Sequence, residues 1–132
     1  MNVLALVGSY RKHHAIDTLV DRVLEGVRQN HPDAVVDKIH LADRHVEYCR
    51  NCMACKLDDP AKPIAACILH DDMDELLAKL VAADALVVGT PINVGTVTAV
   101  LKTFLERACW TLAKPGHGWT PTHHCAARTP EP

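Results

Sequence analysis

The opening stretch constrains this fold more than any other part of the chain. In Asn2-Val3-Leu4-Ala5-Leu6-Val7, the five residues after Asn2 are a continuous apolar run that stops at Gly8. A run of this length, bounded by a turn residue, suits a strand buried on both faces of a parallel sheet. After the turn, Ile16, Leu19, Val20, Val23, Leu24 and Val27 recur at steps of three and four, with Asp17, Asp21, Arg22, Glu25 and Arg28 between them. That spacing predicts an amphipathic helix with one face on the sheet. His31-Pro32 ends it, and residues 34–39 read as a second strand.

Residues 41–69 hold neither period. Cysteines crowd there, and Asp58-Asp59-Pro60 and Lys62-Pro63 supply turn chemistry, so the segment is expected to leave the sheet. A long irregular loop in a compact domain is usually functional. Asp71-Asp72 then precede the stripe Met73, Leu76, Leu77, Leu80 and Val81, an acidic start that complements a helix N-terminus. Residues 85–89 form a third strand, and Val97, Val100, Leu101, Phe104, Leu105 and Ala108 mark a third helix. Cys109 is expected to be buried with them as a small apolar residue. This order predicts a doubly wound α/β sheet.

The expected division is one domain over 1–110, with the cysteine-rich loop 41–69 inside it, and an irregular tail over 111–132. Pro115, Gly116, Gly118, Pro121, Pro130 and Pro132 punctuate that tail, and Cys125 with His117, His123 and His124 there carries no metal-site pattern. A chain of 132 residues is the length of one domain. A formal charge of -2 without a Lys/Arg block argues against a nucleic-acid partner held by phosphate contacts. No segment approaches the roughly 20 apolar residues of a membrane span, and the first apolar run lacks the preceding charges of a signal peptide. A cytoplasmic protein is expected. In a reducing compartment its six cysteines point to metal or redox chemistry rather than disulfides.

Two loops fall at the carboxyl edge of the sheet. Gly8-Ser9-Tyr10-Arg11-Lys12 joins the first strand to the first helix, where open backbone N–H groups and the helix dipole favour an anion. Ser9 offers a hydroxyl and Arg11 a charge. The loop lacks a dinucleotide glycine fingerprint and a Gly-Lys-Ser/Thr ending, so a monophosphate suits it better. Thr90-Pro91-Ile92-Asn93-Val94-Gly95-Thr96 follows the third strand, and in a 2-1-3 order the two loops flank the topological switch point where ligands bind. Thr96 is also a reasonable cap for the third helix. The set Cys49-x2-Cys52-x2-Cys55-x11-Cys67 suits an iron-sulfur cluster or zinc, since soft thiolates accept either, and equally a metal-free cysteine loop.

Together, residues 6–12, the cysteines, residues 67–73, and Gly89-Thr90-Pro91 through Thr98-Ala99-Val100-Leu101-Lys102-Thr103-Phe104-Leu105-Glu106-Arg107 resemble the NADPH-dependent FMN reductase and iron-sulfur flavoprotein families. The resemblance runs over about residues 3–110. It implies a flavodoxin-like fold, non-covalent FMN, NAD(P)H as electron donor, a small-molecule or protein acceptor, and a homo-oligomer. By position, Ser9, Arg11 and the backbone of His13, His14, Ala15 and Ile16 would hold the phosphate, and Pro91, Ile92, Asn93, Val94, Gly95 and Thr96, following Thr90, would contact the isoalloxazine. It favours a 4Fe-4S cluster on Cys49, Cys52, Cys55 and Cys67, although relatives return the fourth cysteine after a shorter gap. His14 and Ile16 stand where relatives often have Gly and Ser/Thr, which removes a hydroxyl ligand and predicts weaker FMN binding. The last two strands of the fold are missing from the pattern, as a truncation or shifted reading frame would leave it. The competing reading is a non-enzymatic metal-binding or interaction protein on a truncated scaffold.

Overall fold

β1 (Asn2–Val7) is the middle strand of a three-stranded parallel sheet, with β2 (Val35–His40) on one side and β3 (Ala85–Gly89) on the other. The computed structural model that reveals this describes residues 1–59 and 61–112. The order β2-β1-β3 is the one expected, and β2 begins one residue later than the sequence pattern suggested. Val7, the last residue of β1, stands opposite His40 and Gly89, so all three strands end at one edge.

β1 is buried on both faces because it serves two cores. Val3, Ala5 and Val7 pack with Val20 and Leu24 of α1 (Ala15–Asn30). Leu4 and Leu6, on the opposite pleat, pack with Met73, Leu76 and Leu77 of α2 (Met73–Ala82) and with Leu101, Phe104 and Ala108 of α3 (Ala99–Leu112). Alternation along one strand thus binds a helix layer to each side of the sheet. β3 is different: Leu86 and Val88 remain 45% and 44% exposed, and among the described residues its outer edge has no partner strand.

Three details depart from the sequence pattern. α3 continues through Thr111 and Leu112, so the expected boundary at 110 falls inside a helix. Thr111 is buried, donates its hydroxyl to the Arg107 carbonyl at 2.8 Å, and accepts the Ala65 N–H at 3.0 Å, which ties the long loop to the helix end. Cys109 is exposed, because the buried face of α3 runs Leu101, Phe104, Arg107, Ala108 and Thr111 and leaves position 109 outside it. Helical character also enters the loop between β2 and α2, as a 3-10 turn at Leu41–Asp43 and a single turn at Ala54–Leu57. Pro60 and the tail groups His117, His123, His124 and Cys125 lie outside the described residues. No helix among the described residues is long and apolar enough to cross a membrane.

Candidate functional site

The ends of β1 and β3 carry two loops that are bonded to each other. The Gly8 N–H donates to the Gly89 carbonyl at 2.7 Å, and the buried Thr98 hydroxyl donates to the Gly8 carbonyl at 2.6 Å. Thr98, not Thr96, precedes α3, and its carbonyl accepts the Lys102 N–H at 2.9 Å. Thr96 instead closes a hairpin turn: Asn93 and Thr96 exchange backbone hydrogen bonds at 2.8 and 3.0 Å around Val94 and Gly95, both with positive φ. Two consecutive positive-φ residues are the mark of a type I′ turn. Glycine takes the second easily, whereas Val94 is an outlier for a β-branched residue, held while its side chain stands fully exposed beside an 83% exposed Ile92. An apolar loop tip fixed in an unfavourable conformation at a sheet's carboxyl edge offers a surface to a flat ligand.

In the facing loop, Ser9 is buried and its hydroxyl is used locally, donating to the Arg11 carbonyl at 3.2 Å and accepting the Arg11 N–H at 3.1 Å. That bond shapes the turn and leaves the Arg11 side chain exposed and unpaired among the described residues. Lys12, by contrast, is bound to Asp43 at 2.7 Å. His13 holds a left-handed backbone and donates its N–H to Asp17 at 2.6 Å, so it offers no backbone donor to a ligand. His14 caps α1 without a side-chain bond, and the N–H groups of Ala15 and Ile16 open the helix as free donors. Asp17 would repel an anion if it stood alone. Burial works against its charge, but the Lys38 ammonium at 2.5 Å, the His13 N–H and His40 at 3.1 Å outweigh that and hold its carboxyl below the usual range. The acid at the helix start is therefore neutralised, and Arg11 remains to meet a phosphate.

A second constellation lies in the long loop. Cys49, Cys52 and Cys55 from its first half and Cys67 from its second line one pocket with Arg107, Trp110 and Thr111 of α3. Asn51 and Met53, the residues flanking Cys52, both take left-handed backbone conformations, the kind that turns successive N–H groups inward. Cys49 Sγ already accepts the Asn51 N–H at 3.4 Å. Burial and the three neighbouring sulfurs push the Cys55 thiol up, against the opposing pull of Lys56. Among the described residues no three Cys, His, Asp or Glu side chains converge closely enough to hold a single metal ion.

The floor of this pocket is an ion pair that sequence reasoning missed. Arg107 and Asp71 have side chains only 1% exposed and bond through Arg107 Nη1. Asp71 also accepts the Glu47 N–H at 2.8 Å and the Met73 N–H at 3.1 Å, so it fastens the loop's start to α2. Burial opposes ionisation of both partners, and each charge overcomes that penalty for the other. Among the described residues Nε and Nη2 of Arg107 have no oxygen or nitrogen partner, and the Cys67 sulfur lies nearby. The signal was present in the sequence as an arginine three residues after Phe104, on the apolar stripe of a helix.

A doubly wound sheet with paired loops at the β1/β3 switch point defines a flavodoxin-like α/β protein. The family model for NADPH-dependent FMN reductase matches residues 1–121, and the chain belongs to that family. An iron-sulfur flavoprotein of Archaeoglobus fulgidus is 33% identical over 108 residues, 82% of this chain and 49% of that protein. One from Methanosarcina thermophila is 29% identical over 82% of this chain and 52% of its own length. The chain thus spans about half the length of the relatives it matches. Among solved structures, azoreductase AzrA superposes with a TM-score of 0.66 at 23% identity, over 92% of this chain and 60% of that one, a likeness of fold.

Proposed function

We infer that the chain carries the flavin-binding part of an FMN-dependent oxidoreductase, of the NAD(P)H:flavin or quinone reductase type or an iron-sulfur flavoprotein electron carrier. The carrying observation is the pair of loops bonded through Gly8 and Gly89, with an exposed cation, Arg11, that is unpaired among the described residues, and open helix N–H groups beside an apolar loop tip. In this reading Arg11 and the N–H groups of Ala15 and Ile16 take the FMN phosphate, with His14 and Ser9 alongside and His13 contributing through its backbone conformation. Residues 90–96 would lie against the isoalloxazine. The group held there would supply two-electron exchange with reduced nicotinamide and one-electron exchange with an acceptor. The protein's part is phosphate binding, orientation and electronic tuning, with no nucleophile required. The acceptor is a small molecule or a protein, and a reducing cytoplasmic setting goes with the reading.

Cys49, Cys52, Cys55 and Cys67 are assigned to a 4Fe-4S cluster. Four thiols and two unpartnered guanidinium N–H groups around one pocket suit a sulfur-rich anion. Iron and acid-labile sulfide in anaerobically prepared protein test this. Both should be present and fall together when any one of the four is changed to Ser, while FMN binding at the remote loop persists. Absence of both from the parent would leave the segment as a structural loop and favour the non-enzymatic alternative, to which His14 and Ile16 in the phosphate loop also point.

A further inference from the structure

The cysteine pocket contains a buried charged group with no oxygen or nitrogen partner for two of its three nitrogens among the described residues. Arg107 is the largest fully buried side chain among the described residues. One of its terminal nitrogens, Nη1, is engaged, by Asp71 and by the Glu47 carbonyl at 3.3 Å. Leaving the remaining N–H groups of a buried guanidinium without acceptors costs more than a hydrogen bond would return elsewhere, and such groups are rare unless something fills the gap. Cys67 lines the same pocket and its sulfur lies against the same guanidinium. Asp71 is itself fixed by the Glu47 and Met73 N–H groups, so the direction of the arginine fork is set by the loop that carries the cysteines.

We propose that Arg107, aimed by Asp71, donates hydrogen bonds from Nε and Nη2 to the sulfur atoms of the cluster and thereby raises its reduction potential. The proposal rests on the cluster assignment above. Its physical basis is the sign of the charge. Reduction adds one electron to a sulfur-ligated anion, so a cationic donor binds the reduced state more strongly than the oxidised one. Removing the donor makes reduction harder. A lysine at the same place keeps the charge but loses the planar fork and both free donors, so its effect is intermediate.

The test is a one-electron redox titration of the cluster, with dithionite as reductant, followed by EPR in the parent, in Arg107→Lys, and in the double variant Arg107→Met with Asp71→Asn. The double variant replaces a buried pair by neutral groups of similar size, which folds more readily than one with a single buried charge left over. The reduction equilibrium of the double variant should fall by about tenfold, ~59 mV for one electron, with the lysine variant between it and the parent. Coincident potentials in all three, with iron and sulfide present, would overturn the role of Arg107 and leave the cluster standing. No iron or sulfide in the parent would bring down both. If the double variant folds but does not load iron, pulsed EPR of the reduced parent decides. With 15N-arginine incorporated into a chain carrying Arg50→Lys, so that Arg50 at the pocket wall adds no signal, a weak 15N coupling to the cluster is expected. No coupling would overturn the proposal.

Discussion

Gly89 closes β3 directly under α1, and the space there leaves no room for a methyl group. A Cβ built at this position would stand 2.4 Å from Val20 Cγ2 and 3.1 Å from Ile16 Cγ2. Apolar carbons settle at about 3.5–4.0 Å, so Gly89→Ala requires α1 to retreat by roughly 1 Å. The helix is not free to do so, because Val20 and Leu24 are packed on Val3, Ala5 and Val7. Overpacking of this kind costs about 1–3 kcal/mol. The same displacement moves the first turn of α1, where Ala15 and Ile16 face the phosphate loop, so FMN affinity should drop by about tenfold, ~1.4 kcal/mol. Gly26→Ala in the same helix is the control: nothing lies within 4 Å of its Cβ, and the variant should gain roughly 0.5–1 kcal/mol from helix propensity. Urea unfolding measures the stabilities, and quenching of FMN fluorescence measures the affinities. A Gly89→Ala chain as stable as its parent, with unchanged FMN affinity, would refute the packing argument.

Arg11→Ala should weaken FMN binding by about 1.5–3 kcal/mol, while Lys12→Ala, already paired with Asp43, should change it far less; equal losses in a titration would contradict the assignment. Asp17 and Asp71 both have carboxyls held below their ordinary value of 3.8, so they add stability above that pH and lose it as pH falls through their folded values. Urea midpoints measured from pH 7 to pH 2 should therefore fall on acidification, and Asp17→Asn should flatten the slope; an unchanged slope would remove Asp17 from the account. The outer edge of β3, unpaired among the described residues and with Leu86 and Val88 half exposed, should drive the chain to self-associate, and Val88→Lys should reduce it. Light scattering that finds a monomer in both would contradict this.

Much of the fold was legible because β1 and the helices obey simple periods. Five consecutive apolar residues ending at a glycine mark a central strand, and three- and four-residue steps mark the helices packed on the sheet. The helix between each pair of strands made the sheet parallel, and the order β2-β1-β3 came with the flavodoxin-like resemblance. What period analysis did not reach was local satisfaction of polar groups. Thr98 rather than Thr96 precedes α3 because its hydroxyl is taken by the Gly8 carbonyl, a partner ninety positions away. His13 lost its role as a backbone donor to Asp17, whose charge is in turn settled by Lys38 and His40 on β2. Cys109 was misplaced because the buried face of α3 swings toward Arg107 and Thr111 to meet the cysteine loop. The loop's spacing indicated a ligand set, but the arginine beneath it is visible only once α3 and Asp71 are brought together.

The visible spectrum of freshly purified protein, recorded without oxygen before and after adding NADPH, decides whether the chain is a redox-active flavoprotein. Flavin absorption near ~450 nm over a broad cluster band near ~400 nm is expected, both losing intensity when the nicotinamide is added. A colourless chain that takes up neither FMN nor iron when both are supplied would contradict it.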